Sequence, residues 1–273
     1  MRFDVLTIFP GFFTGFLEHG IVRRAQADGL VSVGIHDLRQ FTHDRHRTVD
    51  DRPFGGGEGM VLKPEPLSQA IESLGIQVKA ERVQAEPAPP RVILLSAQGQ
   101  PLRQAVARDL AGCERLVLIC GRYEGVDERI NELYCDVEIS IGDYVLSGGE
   151  LAAAVVMDTV IRLVPGVLGN EASSEFESFG AEDGAITADE AGVPRSQHGS
   201  GGLLDYPHYT RPAEFRGLAA PPVLLNGDHS QIRRWRREQQ LRKTLANRPD
   251  LLERANLSEE DKRLLGTFGW RRS

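Results

Sequence analysis

Three glycine-bounded segments hold the residues best placed to do chemistry. In Ile139-Ser-Ile-Gly-Asp-Tyr-Val-Leu-Ser-Gly-Gly-Glu150 the glycines stand where an apolar, strand-like run ends and a helical pattern begins. Glycine there lets backbone approach a ligand closely and present N–H and C=O groups with no side chain in the way. A tight turn built on glycine for steric reasons alone is the competing account. A second turn of the same kind, Cys120-Gly-Arg-Tyr-Glu-Gly-Val-Asp127, again follows a strand-like run, and two such turns can converge on one pocket. Neither is a common nucleotide motif: no Gly-x-Gly-x-x-Gly follows the first strand, and no Lys-Ser/Thr follows a glycine run to grip phosphates. A ligand with adenosine but no phosphate chain fits that absence. The third segment, Thr48 to Met60, sets four glycines among the five residues 55–59 beside Asp50-Asp51-Arg52. It cannot be a regular helix or a strand interior, and is either a pliable loop that closes on substrate or a plain surface loop. A phosphate-binding NTPase built on it would lack the P-loop lysine and the magnesium hydroxyl.

Other candidate groups carry less. His43 and His46 sit in a loop rich in charges and read as solvated or substrate-facing, so no metal site is expected. Cys113, Cys120 and Cys135 match neither a disulfide framework nor a zinc spacing and read as buried thiols. Arg162 stands on a mostly apolar helix, where an arginine needs either a structural partner or a reaction to serve.

The elements that must position these groups follow α/β grammar over residues 1–168. Strands are expected at Phe3 to Ile8, Val31 to His36, Val92 to Ser96, Leu116 to Cys120 and Val137 to Ile141. Helices are expected at Pro66 to Leu74, Pro101 to Leu110 and Glu150 to Leu163, the last on a stripe of Leu151, Val155, Thr159 and Arg162. The result is a largely parallel sheet with helices on its faces, and such sheets bind ligands beyond the carboxyl ends of their strands. Lys79 to Pro90, rich in Ala, Pro and Glu, reads as an exposed excursion. Residues 169–202 hold seven acidic residues, repeated Gly and Ser and few large apolar ones, and read as a flexible linker. Residues 203–273 read as a small, mainly helical domain with helices at Ser230 to Ala246 and Ser258 to Leu265, and Asp228 or Ser230 placed to cap the first.

A chain of 273 residues, 41% hydrophobic, can bury a substantial core. Its apolar runs are too short to cross a bilayer, and Asp4 interrupts the first one where a signal peptide would be continuous, so a cytoplasmic protein without membrane contact is expected. The formal charge of −7 is unevenly divided: residues 201–273 hold 14 Lys and Arg against 9 Asp and Glu, a balance of +5, while the other 200 residues hold 18 against 30, a balance of −12. A basic end can meet phosphates while the rest stays acidic, because screening confines surface charge to roughly 8 to 10 Å. The helix with Arg233, Arg234, Arg236, Arg237, Arg242 and Lys243 is the natural phosphate-facing element. Alternatively it is a solvated amphipathic helix burying Ile232, Trp235 and Leu245, and both can hold on opposite faces.

Six motifs, in order, resemble one family: Asp50-Asp-Arg-Pro-Phe-Gly-Gly-Gly, Gly121-Arg-Tyr-Glu-Gly-Val-Asp-Glu128, Ser140-Ile-Gly-Asp-Tyr-Val-Leu, Pro165-Gly-Val-Leu-Gly169, Pro207-His-Tyr-Thr-Arg-Pro212, and Gly227-Asp-His229 with Trp235-Arg236. Together they resemble the bacterial tRNA (guanine-N1)-methyltransferases of the SPOUT class, from Phe3 to about Leu252. The resemblance implies methylation of N1 of the guanosine just 3′ of the anticodon, position 37, from S-adenosyl-L-methionine. It also implies a trefoil knot at the C-terminal end of the sheet domain, and a homodimer with active sites at the subunit interface. Spacing alone would exclude a knot, since true knots are so rare. By the same warrant Leu95, Gly121, Tyr123, Glu124, Ile141, Gly142, Asp143, Tyr144, Val145, Leu146, Gly148 and Gly149 should bind the cofactor. Glu124 would attract the sulfonium, its ordinary alternative being a solvated turn carboxylate. Asp50, Arg52 and Gly59, with Arg233 and Arg237, should meet tRNA. Guanine N1 carries a proton, so transfer needs a base and a donor toward O6. Arg162 matches the family's donor. The family's Asp-Ser pair after Pro-Gly-Val-Leu-Gly is Glu177-Ser178 here, so Glu177 is the expected base, acting across the dimer interface, with Asp183 or Asp205 next in line. The linker is longer than the family's. A magnesium requirement comes with the family, though no protein ligand set for it is visible. A non-catalytic RNA-binding protein that keeps the fold is the rival reading, supported by the Glu177 substitution and the long linker.

Overall fold

The computed structural model describes residues 1–82, 90–169, 177–180 and 200–271. The chain divides into two compact units, Met1–Gly169 and Asn170–Ser273.

The first unit contains β1 (Arg2–Thr7), a 3-10 turn (Pro10–Phe13), α1 (Thr14–Leu17), α2 (Gly20–Ala27), β2 (Ser32–Asp37), β3 (Asp50–Asp51), β4 (Val61–Leu62), α3 (Pro64–Ser73) and α4 (Lys79–Arg82). It continues with β5 (Arg91–Pro101), α5 (Gln104–Ala111), β6 (Arg115–Cys120), α6 (Glu128–Tyr134), β7 (Val137–Ser140) and α7 (Glu150–Ile161). Five strands form one sheet in the order β2-β1-β6-β5-β7, with every neighbouring pair parallel. The inner strand β6 and the first half of β5 are near-continuous apolar runs because both faces are covered, whereas the edge strand β2 has no buried residue. Side chains alternate between those faces. Phe3, Val5, Leu116, Leu118 and Cys120 pack with Val22 of α2, Leu110 of α5 and Met157 of α7. Leu6, Val117, Ile119, Val92 and Leu94 pack with Leu67 and Ile71 of α3 and Ile130 of α6.

Asp4 is the buried charge inside β1. It is fully buried and met by Arg2, His36 and Arg115, at 2.9, 2.8 and 2.8 Å. Burial alone would raise its pKa, but these three partners hold it well below the usual carboxylate range.

Several expectations need correction. The stripe Leu151, Val155, Thr159, Arg162 is not the core face of α7: Leu151 and Val155 are 51% and 42% exposed, whereas Ala152, Ala153, Val156, Met157, Val160 and Ile161 are buried. The helix is apolar nearly all round, so periodicity could not choose a face, and the small alanines let it lie close on the sheet. The strand expected to stop at Ser96 runs to Pro101, and the following helix starts at Gln104. Lys79 and Arg82 are not an exposed excursion. Lys79 Nζ donates to the Cys135 carbonyl at 2.9 Å, and buried Arg82 bonds Asp136 and the Tyr134 carbonyl. Residues 83–89 of that stretch lie outside the described residues. Cys120 and Cys135 are buried, but Cys113 is half-exposed. Helices α2 and α6 were not anticipated.

In the second unit a hairpin, β8 (Glu214–Phe215) with β9 (Leu218–Ala219), precedes α8 (His229–Asn247), α9 (Pro249–Arg254) and α10 (Glu259–Thr267). Its core is Leu203, Leu241, Leu252, Leu257 and Leu265. Asp228 caps α8, accepting from the Ser230 and Gln231 N–H groups, and Ser258 with Asp261 forms a capping box on α10. The buried positions of α8 are Gln240, Leu241 and Thr244, while Ile232, Trp235 and Leu245 are half-buried. Most of the expected linker, residues 170–176 and 181–199, lies outside the described residues. Its described pieces are pinned: Phe179 N–H donates to the Leu203 carbonyl at 2.9 Å and Gly180 N–H to Ser200 Oγ at 2.8 Å.

Candidate functional site

Both glycine turns open at the carboxyl ends of sheet strands, one after β6 and one after β7. They are bonded to each other. Gly149 N–H donates to the Gly121 carbonyl at 2.8 Å, and Arg122 bridges to Gly148 in antiparallel fashion. Glycine permits this approach: a Cβ at Gly149 would clash at 2.7 Å with Cys120 Cα, and one at Gly121 would crowd the Leu95 carbonyl oxygen at 3.2 Å. Tyr123 holds φ +59°, an unusual conformation for a side chain of its size, and such strain gathers at functional turns.

Between the turns lies a cavity of about 300 Å³. Leu95, Gly121, Tyr123, Glu124, Ile141, Gly142, Tyr144, Val145, Leu146, Gly148 and Gly149, all expected from the motifs, line it; Asp143 does not. Val145 is 87% exposed, so part of this wall faces outward in the single chain. Cys120 forms the floor of the first turn, where burial pushes its thiol well above its ordinary pKa and leaves it neutral.

A third wall, Ser96 to Gln98, was missed. After Leu95 pairs with Ile139 of β7, the chain bulges out and returns so that Gln100 pairs with the same residue. Gly99 makes this possible, because a Cβ there would sit 2.5 Å from the Glu138 carbonyl carbon. The signal was legible: a strand, then Ser-Ala-Gln-Gly, the same grammar as the other two turns.

The glycine loop docks on the first turn. Glu124 N–H donates to the Met60 carbonyl, and Leu62 N–H to the Gly125 carbonyl, both at 3.0 Å. Gly59 has φ +86°, and a Cβ there would meet the Glu124 side chain at 2.5 Å. Asp50 pairs with Leu62 in the short β3–β4 ladder, and Arg52 follows it, exposed. The loop is therefore tied to the cavity by backbone, while Phe54 at its tip is 97% exposed.

Arg162 is half-buried at the C-cap of α7, in the first unit. Glu177 is half-buried in the second, its carbonyl accepting from Gly180 N–H at 3.0 Å. Ser178 Oγ accepts from Asp205 N–H at 2.9 Å, and the Asp205 carboxylate is engaged by Tyr206 N–H and His208. Asp183 lies outside the described residues. On α8, Arg233 is half-exposed, but the Arg237 guanidinium is committed to Asp261 by two bonds of 2.8 Å. That bidentate pair joins α8 to α10 and leaves Arg237 less free to meet a phosphate than its sequence position suggested. Among the described residues no group of three or more His, Cys, Asp or Glu is placed to hold a metal ion, and no helix is long and apolar enough to cross a membrane.

Sheet and cavity define an α/β protein whose ligand cavity lies beyond the carboxyl ends of parallel strands. A family profile described as tRNA (Guanine-1)-methyltransferase TrmD matches residues 1–254. Similar proteins named tRNA (guanine-N(1)-)-methyltransferase occur in Koribacter versatilis (57% identical, covering 97% of each chain), Geobacter metallireducens (48%, covering 97% of this chain and 96% of the relative) and Chloroflexus aurantiacus (50%, covering 99% and 97%). The chain belongs to the tRNA (guanine-1)-methyltransferase family.

Proposed function

We propose that this chain transfers a methyl group from S-adenosyl-L-methionine to N1 of the guanosine at position 37 of tRNA, giving 1-methylguanosine. The observation that carries the reading is the convergence of both glycine turns on one cavity, in a chain of this family. The cavity wall suits the donor. Among its described lining residues Arg122 is the one basic side chain, so the wall offers no cluster of cations for a phosphate chain. When bound, the donor supplies an electrophilic methyl on a sulfonium. The turns from Gly121 and Ile141 would hold its adenosine end through N–H and C=O groups, and Glu124 would supply a carboxylate to attract the sulfonium.

In this reading Arg162 donates a hydrogen bond toward guanine O6, where negative charge develops, and Glu177 takes the N1 proton. The base acts across the interface of a homodimer. The exposed Leu151 and Val155 of α7 are the part of this chain a second copy would cover. The chain around the cavity is read as the trefoil knot of the SPOUT class, residues 1–168 as the cofactor domain, and residues 203–273 as the tRNA-binding domain joined by the 169–202 linker. Asp50, Arg52 and Gly59 are read as meeting tRNA, with Arg233 the freer of the two α8 cations. The enzyme is taken to be cytoplasmic, and a magnesium requirement rests on family resemblance alone.

The test is incubation of the purified protein with labelled S-adenosyl-L-methionine and unmodified tRNA, followed by nucleoside analysis. The expected product is 1-methylguanosine, and any other methylated nucleoside overturns the assignment. Glu177→Gln should retain donor binding and lose most turnover. Near-full turnover in that variant would transfer the role of base to Asp183 or Asp205.

A further inference from the structure

The two turns that wall the cavity are held at their separation by more than their own backbone. Arg122, in the first turn, reaches across to the second, where its Nη1 donates to the Ser147 carbonyl. Its Nε lies 3.7 Å from Glu150 Oε2, and its guanidinium lies 4.5 Å over the Phe9 ring. Glu150 is 4% exposed and starts α7, where the positive end of the helix favours an acid. Its other oxygen accepts from Thr7 Oγ at 2.8 Å, and Thr7, fully buried at the end of β1, also accepts from Phe9 N–H at 2.9 Å. Gly148 fits between the two charged groups: a Cβ there would lie 2.6 Å from both Arg122 Nε and Glu150 Oε2.

An acid at the first turn of a helix is commonly a dipole partner and nothing more. Three observations set this one apart. It is buried, its charge faces a cation on the opposing turn, and that cation's Nε is buried with no hydrogen-bond partner at a distance too long to be a hydrogen bond itself. A buried pair left incompletely bonded is expensive unless another state completes it.

We propose that Thr7 and Glu150 are positioning residues that act through Arg122, fixing the spacing of the two glycine turns so that the cavity accepts the methyl donor. The chain of contact runs from the end of β1, through the N-terminus of α7, to the cavity wall. Glu150 itself does not line the cavity, so its influence on the donor passes through Arg122 and Ser147. The inference rests on the donor assignment made above.

The test is titration calorimetry of the full chain with S-adenosyl-L-methionine and, separately, S-adenosylhomocysteine, alongside thermal melts without ligand. Glu150→Gln keeps the shape of the side chain and removes its charge; its Kd for both ligands should rise about tenfold, the loss typical of a charge-assisted contact. Thr7→Val, nearly isosteric, should weaken binding about threefold, and Thr7→Ser should restore it. The KM for tRNA should not move in any of them. A merely structural role would lower the melting temperature and leave Kd unchanged, and that result overturns the proposal. Should Glu150→Gln fail to fold, the Thr7 pair decides the matter: Val and Ser variants with equal Kd overturn it. If the unsubstituted chain itself binds neither ligand, the donor assignment falls, and this inference falls with it.

Discussion

In Met1–Gly169 the candidate site is walled by a bulge within β5 and by the turns beyond β6 and β7, brought together by glycines that let one backbone lie on another. In Asn170–Ser273 the candidate phosphate-facing cations are side chains on a single helix, α8, and among the described residues the fully packed core is five leucines. The first arrangement has no slack, because a backbone contact cannot be relieved by a rotamer change. The second is tolerant, since a long cation can swing and its neighbours can substitute for it. A site that must hold one small molecule in one pose suits the former, and a surface that meets a polyanion suits the latter.

The contrast breaks most sharply at Gly149. Gly149→Ala sets a Cβ 2.7 Å from Cys120 Cα, with no flexible side chain to yield. Calorimetry should show donor affinity falling by about 5- to 150-fold, the range an overpacking cost of ~1–3 kcal/mol implies. Normal affinity would mean that the turns are not rigid. Asp4→Asn tests whether the sheet beneath is equally unforgiving. Arg2, Arg115 and His36 lose their buried partner, and urea unfolding should report a loss of about 3 kcal/mol. The pH dependence follows from the same depressed carboxyl. Its contribution is complete above the ordinary aspartate range, near pH 4, and is lost as pH falls toward the lowered native value, so the wild type should gain acid sensitivity that Asp4→Asn lacks.

In the second unit the effects should be smaller and separable. Asp261→Asn removes the bidentate partner of Arg237 and should cost about 1–2 kcal/mol in thermal melts, with the donor Kd unchanged. A shift in donor affinity would show that the two units do not divide the work as described. Smallest of all, Arg233→Ala should raise the KM for tRNA about twofold and reduce the slope of log affinity against log salt by about one. An unchanged salt slope would remove α8 from the tRNA surface.

Much of this was legible in the residues. The five strands of the sheet were placed to within one or two residues at most ends, because runs such as Leu116 to Cys120 are apolar on both faces and flanked by turn formers. Eleven of the motif-derived pocket residues do face one cavity. What escaped were relationships with no local signal. The stripe that marked α7 as a helix is its outer one, because the helix offers apolar residues on every side and spacing cannot choose among them. Arg82 lies in a stretch that reads as exposed, and its burial depends on the Tyr134 carbonyl and the Asp136 carboxylate, which come from beyond that stretch. Arg237 looked free until α10 supplied Asp261.

The pairing of the glycine turns divides the two kinds of information most clearly. Sequence by itself determined that Gly121, Gly142, Gly148 and Gly149 follow strand ends, since glycine and hydrophobic periodicity are local properties of the chain. Only the tertiary structure decided that Gly149 rests on Cys120, that Ser96 to Gln98 closes a third side, and that Glu150 faces Arg122 from a separate element. Those contacts join residues far apart in the chain. They depend on strand order in the sheet, which side-chain patterning along one strand does not encode.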